Sequence, residues 1–491
     1  MRRWVGVLGW VGPVVVLLAV SLPHLNQGDF RGDTGWYSAV GLSSWRSGSL
    51  WTLEGMPGQP YFNKPPLGLW VHGLALHVLG PSVWAARLLT VLAAALAVVM
   101  TNGIGRAMLG RRAGVMSAFV LALTLEFFRR TREVSLDVWQ LAFLLAALWL
   151  VVAGARRGED RQEAGQAGER AWWTVAAGVP LGLALLCKPL TALAMLPMAG
   201  AMLWALGSGR RAWWLLGAAG VAVLVAGPWH LSMWLRHGDE FVRQYLAAEV
   251  IDRAAGRLEG SANRESPWWF YLRQIGTAYW PWLACVVLAG LAWDRFDDRR
   301  RRGMAAAGIW AAAWLMLVSV FPDRRDRYAL PIYPGLAWVA GVWLASPRWE
   351  WLAALLARAR WRGPIEAAVV GVVFAALPIR IQSPPAKEWE QLHSWTAGEG
   401  LAGERVWLAG QASALAARLY LRHGWWPRAT MDRWGAQIGE PGAGAVVVYH
   451  RRCGLAPGPG ETVAFEAGDV RVTRLDAGEW RPMKAADPGE K

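Results

Sequence analysis

Blocks of roughly 17–22 predominantly apolar residues recur along this chain, and a helix of that length matches the ~30 Å hydrocarbon core of a bilayer. They fall at about residues 4–22, 84–104, 113–128, 136–154, 171–187, 189–206, 213–234, 274–293, 304–321, 328–345 and 364–380, which makes about eleven spans. Composition points the same way: 55% of the 491 residues are hydrophobic and 18% are charged, where a soluble domain carries about 25% charged residues. Disorder is excluded by the abundance of large apolar groups. A single soluble core of this length is disfavoured, because such chains split into domains. The expected fold is a polytopic α-helical membrane protein.

Charge orients the spans, since cytoplasmic loops carry the excess of Lys and Arg. The net charge is +15, yet the basic residues sit in short clusters between apolar blocks rather than on one soluble face, so nucleic acid is not an expected partner. The first block follows a basic start and lacks a small-x-small cleavage site, and is expected to be an uncleaved helix with its N-terminus in the cytoplasm. The apolar stretch 66–79, PLGLWVHGLALHVL, is about 14 residues long, too short to cross comfortably. If it lies on the outer surface, the clusters Arg106/Arg111/Arg112, Arg156/Arg157/Arg161/Arg170, Arg210/Arg211, Arg295 with Arg299–Arg302 and Arg348/Arg358/Arg360/Arg362 all fall inside. If it spans, every one of them moves outside. It is therefore expected to be an outer juxtamembrane helix.

Three polar regions then face outward: a first loop at 23–83, a second at 235–273, and the tail from about 381. The tail mixes helix-like SALAARLYLRH with strand-like GAVVVYH, TVAFEA and VRVTRL, separated by Gly and Pro, and reads as a small α/β domain. The expected division is a transmembrane catalytic domain, 1–380, and an extracytoplasmic domain, 381–491. Cys187, Cys285 and Cys453 are widely spaced and form no metal or redox motif.

A second set of cations breaks the charge rule by lying outside: Lys64, Arg129, Arg130, Arg132, Lys188, Arg243, Arg253, Arg257, Arg264, Arg324, Arg325 and Arg327, together with the acids Asp29, Asp33, Asp137, Glu249 and Asp252. Charges beside the apolar zone are costly and mark function. Cations there suit the phosphate of an anionic lipid. Each residue also has a plainer reading. Asp33 in FRGDTGWYSA is a general base or a helix N-cap. Asp137 is a functional acid or one favoured by a helix dipole. Lys64 in YFNKPPLGLW and Lys188 in LCKPL are phosphate ligands or snorkelling lysines. The run RRDRYALPIYP, residues 324–334, is a phosphate clamp or a loop of inverted charge. His72 and His77 read as interfacial packing rather than metal ligands. Outer Trp and Tyr side chains are candidates to stack on sugar.

Taken together, GDTGWYSA, KPPLGLW, RLLTVLAAALAV, GRRAGVMSAFVLAL, TREVSLDVWQLAF, LALLCKPL, the SPWWFYL block and RYALPIYPGLA resemble, in order and spacing, the bacterial GT-C glycosyltransferases of the protein mannosyltransferase type, especially the lipid A aminoarabinose transferase branch. The resemblance covers about residues 1–345. It implies a polyprenyl-phosphate-linked sugar donor and inverting transfer on the outer side of the cell membrane to a lipid, glycan or protein acceptor. It implies Asp33, Asp137 and Lys64 as catalytic residues, and Lys188, Arg324, Arg327 and Tyr328 around the donor phosphate. Tyr61, Asn63, Arg132 and Arg264 are expected to contact acceptor or sugar. The sequence departs from the pattern where Thr34 follows Asp33, where Asn63 replaces the acid before KPP, and where Arg264 replaces a histidine. The last two imply that the metal site of that branch is absent, so metal-independent transfer is expected. The rival from another class is a non-catalytic lipid-linked sugar flippase or transporter; the gathering of ionisable residues at outer helix ends rather than mid-span argues against it.

Overall fold

The computed structural model describes residues 2–30, 32–56, 58–163, 171–252, 255, 257, 266–346, 387–401, 406–409, 413–424, 426, 428–429, 441, 444–450, 455–476 and 483–484. Arg253, Arg264, Cys453 and the expected span 364–380 lie outside the described residues. The chain forms two compact units: residues 1–25, 62–68 and 87–381, and residues 26–61, 69–86 and 382–491. Most of the first outer loop, assigned by sequence to the transmembrane domain, thus belongs to the same unit as the tail.

The first unit is helical. It holds α1 (Arg2–Ser21), the start of α3 (Leu67–Leu79), most of α4 (Val83–Leu109), α5 (Arg111–Ala122), α6 (Leu125–Thr131), α7 (Leu136–Glu163), α8 (Ala171–Ala176), α9 (Gly178–Leu185), α10 (Pro189–Leu193), α11 (Met195–Ala205) and α12 (Trp214–Phe241). After a π-helix, Val242–Asp252, come α13 (Phe270–Ala278), α14 (Trp280–Leu291), α15 (Asp298–Val320) and α16 (Ile332–Leu344).

Among the described residues, four helical stretches are long and apolar enough to cross a membrane: Val83–Leu109, Leu136–Arg156, Gly209–Asp252 and Asp298–Val320. The pair α13 and α14, bent by 101°, makes a fifth if it counts as one span. Of the other expected spans, α1 runs unbroken over Arg2–Ser21, while 171–187 and 328–345 form shorter apolar helices. Segment 113–128 breaks at Thr124, whose extended backbone separates α5 from α6. Segment 189–206 is divided between α10 and α11. Large apolar side chains such as Leu216, Leu224, Leu291 and Val320 remain exposed, as expected where the solvent is lipid rather than water.

In the second unit, α2 (Gly32–Ser47) and the remainder of α3 cross closely. A Cβ on Gly73 would sit 2.3 Å from the carbonyl carbon of Gly41, so both positions need glycine for the backbones to approach. At 13 residues, about 1.5 Å each, α3 is too short to span. His72 is buried, with Nδ1 2.7 Å from the Ala86 carbonyl, and His77 stacks on Trp45. Both therefore pack within the loop.

The tail supplies α17 (Lys387–Gly398), α18 (Ser413–His423) and a five-stranded sheet. Two short strands of the first loop, β1 (Glu54–Met56) and β2 (Gln59–Pro60), pair with each other. In the tail sheet, β3 (Val406–Leu408) lies parallel between β4 (Arg428–Ala429) and β5 (Val446–His450). A short pair, β6 (Leu455–Ala456) with β9 (Met483–Lys484), stands apart. The hairpin β7 (Glu461–Ala467) and β8 (Val470–Leu475) completes the order β4-β3-β5-β8-β7. Val406/Leu408, Val446/Val448 and Val470/Val472 alternate along their strands and share one core with Leu392, Ala416 and Leu419 of the two helices, as the period of two requires.

Candidate active site

Two lysines, each followed by proline, anchor the polar chemistry of the first unit. Proline disfavours the helical region for the residue before it. Lys188 accordingly adopts φ −155°, ψ 108° between α9 and α10, with Pro189 opening the second helix. The chain thus turns at the lysine, lifting it out of the apolar helix surface.

Lys188 Nζ lies 2.5 Å from Asp137 Oδ1, and Arg327 Nε is 3.7 Å from Asp137 Oδ2. Asp137 sits in the first turn of α7, where the N-terminal dipole also favours a carboxylate. The side chain of Ser135 accepts from the Val138 N–H and caps that turn. Tyr328 forms a platform beneath the cations: Lys188 Nζ is 5.3 Å and the Arg327 guanidinium carbon 6.0 Å from its ring centre. Gln140, one turn along α7, donates to the Lys188 carbonyl at 2.6 Å and to Thr191 Oγ1 at 2.9 Å, fixing the bend that carries the lysine. The arrangement places two cations on one carboxylate.

The second lysine, Lys64, donates to Glu249 Oε2 at 2.7 Å and to the Asn63 carbonyl at 2.9 Å. Asn63 Nδ2 donates to the other oxygen of Glu249 at 3.1 Å. Phe62, the residue before Asn63, is buried edge-on against His237 and Phe241. Glu249 is itself buried and rides on the π-helix that continues α12 beyond a kink at Gly238 (φ +47°, ψ −124°). The region expected to be a loop from residue 235 is therefore helical as far as Asp252. The wider π turn brings Glu249 to the lysine.

The two sites share a scaffold. The Leu67 N–H donates to the Leu186 carbonyl, so the segment after Lys64 is tied to the turn before Lys188. A Cβ on Gly68 would lie 2.1 Å from Leu136 Cδ2, so glycine permits close contact with the residue preceding Asp137.

The other predicted positions divide. Arg324 donates to the Ser266 and Ser319 carbonyls, and Arg325 pairs with Asp323, so of the three arginines in this run Arg327 is the one paired with Asp137. Arg132 is buried and its guanidinium lies 5.4 Å from the Phe128 ring centre. In the second unit, Asp33 is half-buried in the first turn of α2, and Tyr61 is buried edge-on against Trp36. Glu249 was visible in the sequence as an outer acid without a role; its position 185 residues from Lys64 left no local pattern to join them.

Among the described residues, no three His, Cys, Asp or Glu side chains converge as a metal site. At Asn63 the donor chemistry does not fit one: an ammonium and an amide N–H already occupy the two oxygens of Glu249.

Residues 63–231 match the family described as dolichyl-phosphate-mannose-protein mannosyltransferase. The chain is 28% identical over 353 residues to undecaprenyl phosphate-alpha-4-amino-4-deoxy-L-arabinose arabinosyl transferase 2 of Pseudomonas fluorescens (strain Pf0-1), covering 69% of this chain and 60% of that protein. It is 25% identical over 393 residues to the corresponding transferase of Pectobacterium carotovorum subsp. carotovorum (strain PC1), covering 79% and 66%. The chain spans about 60% of the length of the first of these relatives. Among solved structures, ArnT from Cupriavidus metallidurans bound to undecaprenyl phosphate superposes with a TM-score of 0.73 at 20% identity, covering 96% of this chain and 99% of that one. The archaeal oligosaccharyltransferase AglB from Archaeoglobus fulgidus, in complex with an inhibitory peptide and a dolichol-phosphate, gives 0.57 at 14%, covering 89% and 66%. The fold is the polytopic GT-C fold, and the resemblance to the aminoarabinose transferase and mannosyltransferase families stands.

Proposed function

We propose that this chain is a membrane glycosyltransferase that moves a sugar from a polyprenyl-phosphate donor to a hydroxyl or phosphate of an envelope lipid, glycan or protein. The observation that carries the reading is the pair of cations, Lys188 and Arg327, gathered with the carboxylate of Asp137 over Tyr328. Such a cluster suits a phosphate diester whose leaving oxygen gains charge as the glycosidic bond breaks. The relatives are named for undecaprenyl phosphate-linked aminoarabinose, which supplies the donor class.

In this reading Asp33 takes the proton of the acceptor as general base, and the acceptor oxygen displaces the lipid phosphate in line, inverting the sugar carbon. Lys188 and Arg327 stabilise the departing phosphate, and Asp137 holds them in register. Lys64 supplies a further cation when Glu249 yields it. Cations alone neutralise the leaving group, and no metal is assigned a step. The N-terminus is cytoplasmic, and Asp33 and the tail face the extracytoplasmic side.

The test is release of free lipid phosphate by the purified protein from undecaprenyl-phosphate-linked sugars in the presence of envelope acceptors. Turnover is expected, and Asp33→Asn is expected to abolish it while donor binding persists. Full activity in Asp33→Asn removes that residue as base. Donor translocation across a vesicle membrane without cleavage would instead establish a flippase.

A further inference from the structure

Four residues before Asp33, a buried ionic knot joins the first loop to the tail. Asp29 is 5% exposed and its Oδ1 accepts from the Phe30 N–H at 2.7 Å. Arg418, on α18 in the tail, is 8% exposed; its Nε donates to the Phe30 carbonyl at 2.7 Å and lies 3.8 Å from Asp29 Oδ2. Arg422, one turn further, lies 3.9 Å from Asp29 Oδ1. The Phe30 residue is thus held at both ends, its N–H by the carboxylate and its C=O by the guanidinium.

Aromatic contacts brace the same junction. Trp426 donates to Ser43 Oγ at 3.1 Å, stacks on Tyr420 at 4.5 Å and meets Trp36 edge-on at 6.0 Å. Ser43 and Trp36 belong to α2, the helix whose first turn carries Asp33.

Apolar packing alone would serve cohesion as well, because a buried ion pair gains little over hydrophobic residues of the same volume. What the pair adds is direction: charge-assisted hydrogen bonds fix the backbone entering α2. A general base needs such control, since a misplacement of about 1 Å can cost roughly 10²-fold in rate.

We infer that residues 382–491 are a positioning module for the catalytic loop: Arg418, acting through Asp29 and the Phe30 carbonyl, sets the start of α2 and with it Asp33. The inference rests on the reading of Asp33 as base. It assigns the tail a part in the rate of transfer and none in holding donor.

The experiment uses the full-length protein in detergent. Arg418→Gln and Asp29→Asn are each expected to lower lipid-phosphate release about 10-fold or more, with donor affinity held within about 2-fold. The double variant is expected to be little worse than the poorer single one, because the two groups act as a unit. Arg418→Lys, which restores the charge, should recover part of the rate. Hydrogen exchange in peptides covering residues 32–47 is expected to rise in Arg418→Gln while peptides from α7 and α9 stay unchanged. Should Arg418→Gln fail to fold, the half-exposed Arg422→Gln carries the same measurements with a smaller expected change.

Wild-type turnover and unchanged exchange in these variants overturn the inference, as does a loss of turnover matched by an equal loss of donor binding. The two failures are distinguishable. An active Asp33→Asn sinks the base assignment and the inference together, whereas an inactive Asp33→Asn beside a fully active Arg418→Gln sinks the inference alone.

Discussion

Lys64 and Lys188 have the same local sequence logic and different company. Each precedes a proline, which disfavours a helical backbone at the lysine. Lys188 shares Asp137 with Arg327, so two cations lean on one carboxylate. Lys64 has Glu249 as its ion-pair partner, with Asn63 completing the acid's hydrogen bonds. The first cluster sets two cations, with the Tyr328 ring beside them, around Asp137. The second sets one lysine on one carboxylate, and in the proposed function that lysine must exchange the carboxylate for a phosphate before it contributes. In the proposed function the same motif thus yields a standing phosphate site and a reserve one, and the tertiary partner makes the difference.

The largest effect should come from the standing site. Lys188→Ala is expected to lower donor turnover about 10²–10³-fold, the range for losing one charged stabiliser of a leaving oxyanion. Retention of more than a tenth of the activity would break the comparison. Lys64→Ala should cost less, about 10–100-fold in kcat/KM, since its ammonium begins committed elsewhere. Glu249→Gln drops the charge and replaces one of the two accepting oxygens with an NH2 donor, and should tighten donor binding by a few-fold, measured by lipid titration. Weaker binding in that variant would mean that Glu249 supports the lysine rather than restraining it.

The smallest effect is expected away from both lysines, in the tail. Burial, followed by the nearby Arg422 and His423, lowers the His393 pKa to about 4 from its ordinary 6.5. Below pH 6.5 the unfolded chain therefore takes up a proton that the folded chain refuses, and stability falls as the pH drops from about 6.5 towards 4. His393→Gln should reduce the Tm loss between pH 7 and pH 4.5 by a degree or so, with no effect on donor binding at pH 7.

The two lysine sites also show what could be read from sequence. The lysines were visible as cations expected on the outer face, against the charge rule, and Asp137 as an acid opening a helix. Their pairing was not visible, because Asp137 and Lys188 lie 51 residues apart on different helices. Glu249 was hidden for a second reason: it stands on a π-helix where sequence predicted a loop. Arg324 and Arg327 looked equivalent three residues apart. Only the turn at 326–329 separates them, leaving Arg324 on backbone carbonyls and Arg327 beside Asp137.

The same distinction governs the tail. Its helix Ser413–His423 and the strands Val446–His450, Glu461–Ala467 and Val470–Leu475 follow from local apolar periodicity. Their association with residues 26–61 and 69–86 in one compact unit does not.

By itself the sequence determined that this chain enters a membrane, that residues 66–79 are too short to cross it, and where the cations cluster beside the apolar segments. Those properties depend on segment length and charge, which are local quantities. Tertiary structure decided which acid each cation meets, that Glu249 holds Lys64, and that Arg418 reaches the loop before Asp33. Hydrogen bonds and ion pairs act over a few ångströms, and segments far apart in sequence come that close only when the helices pack.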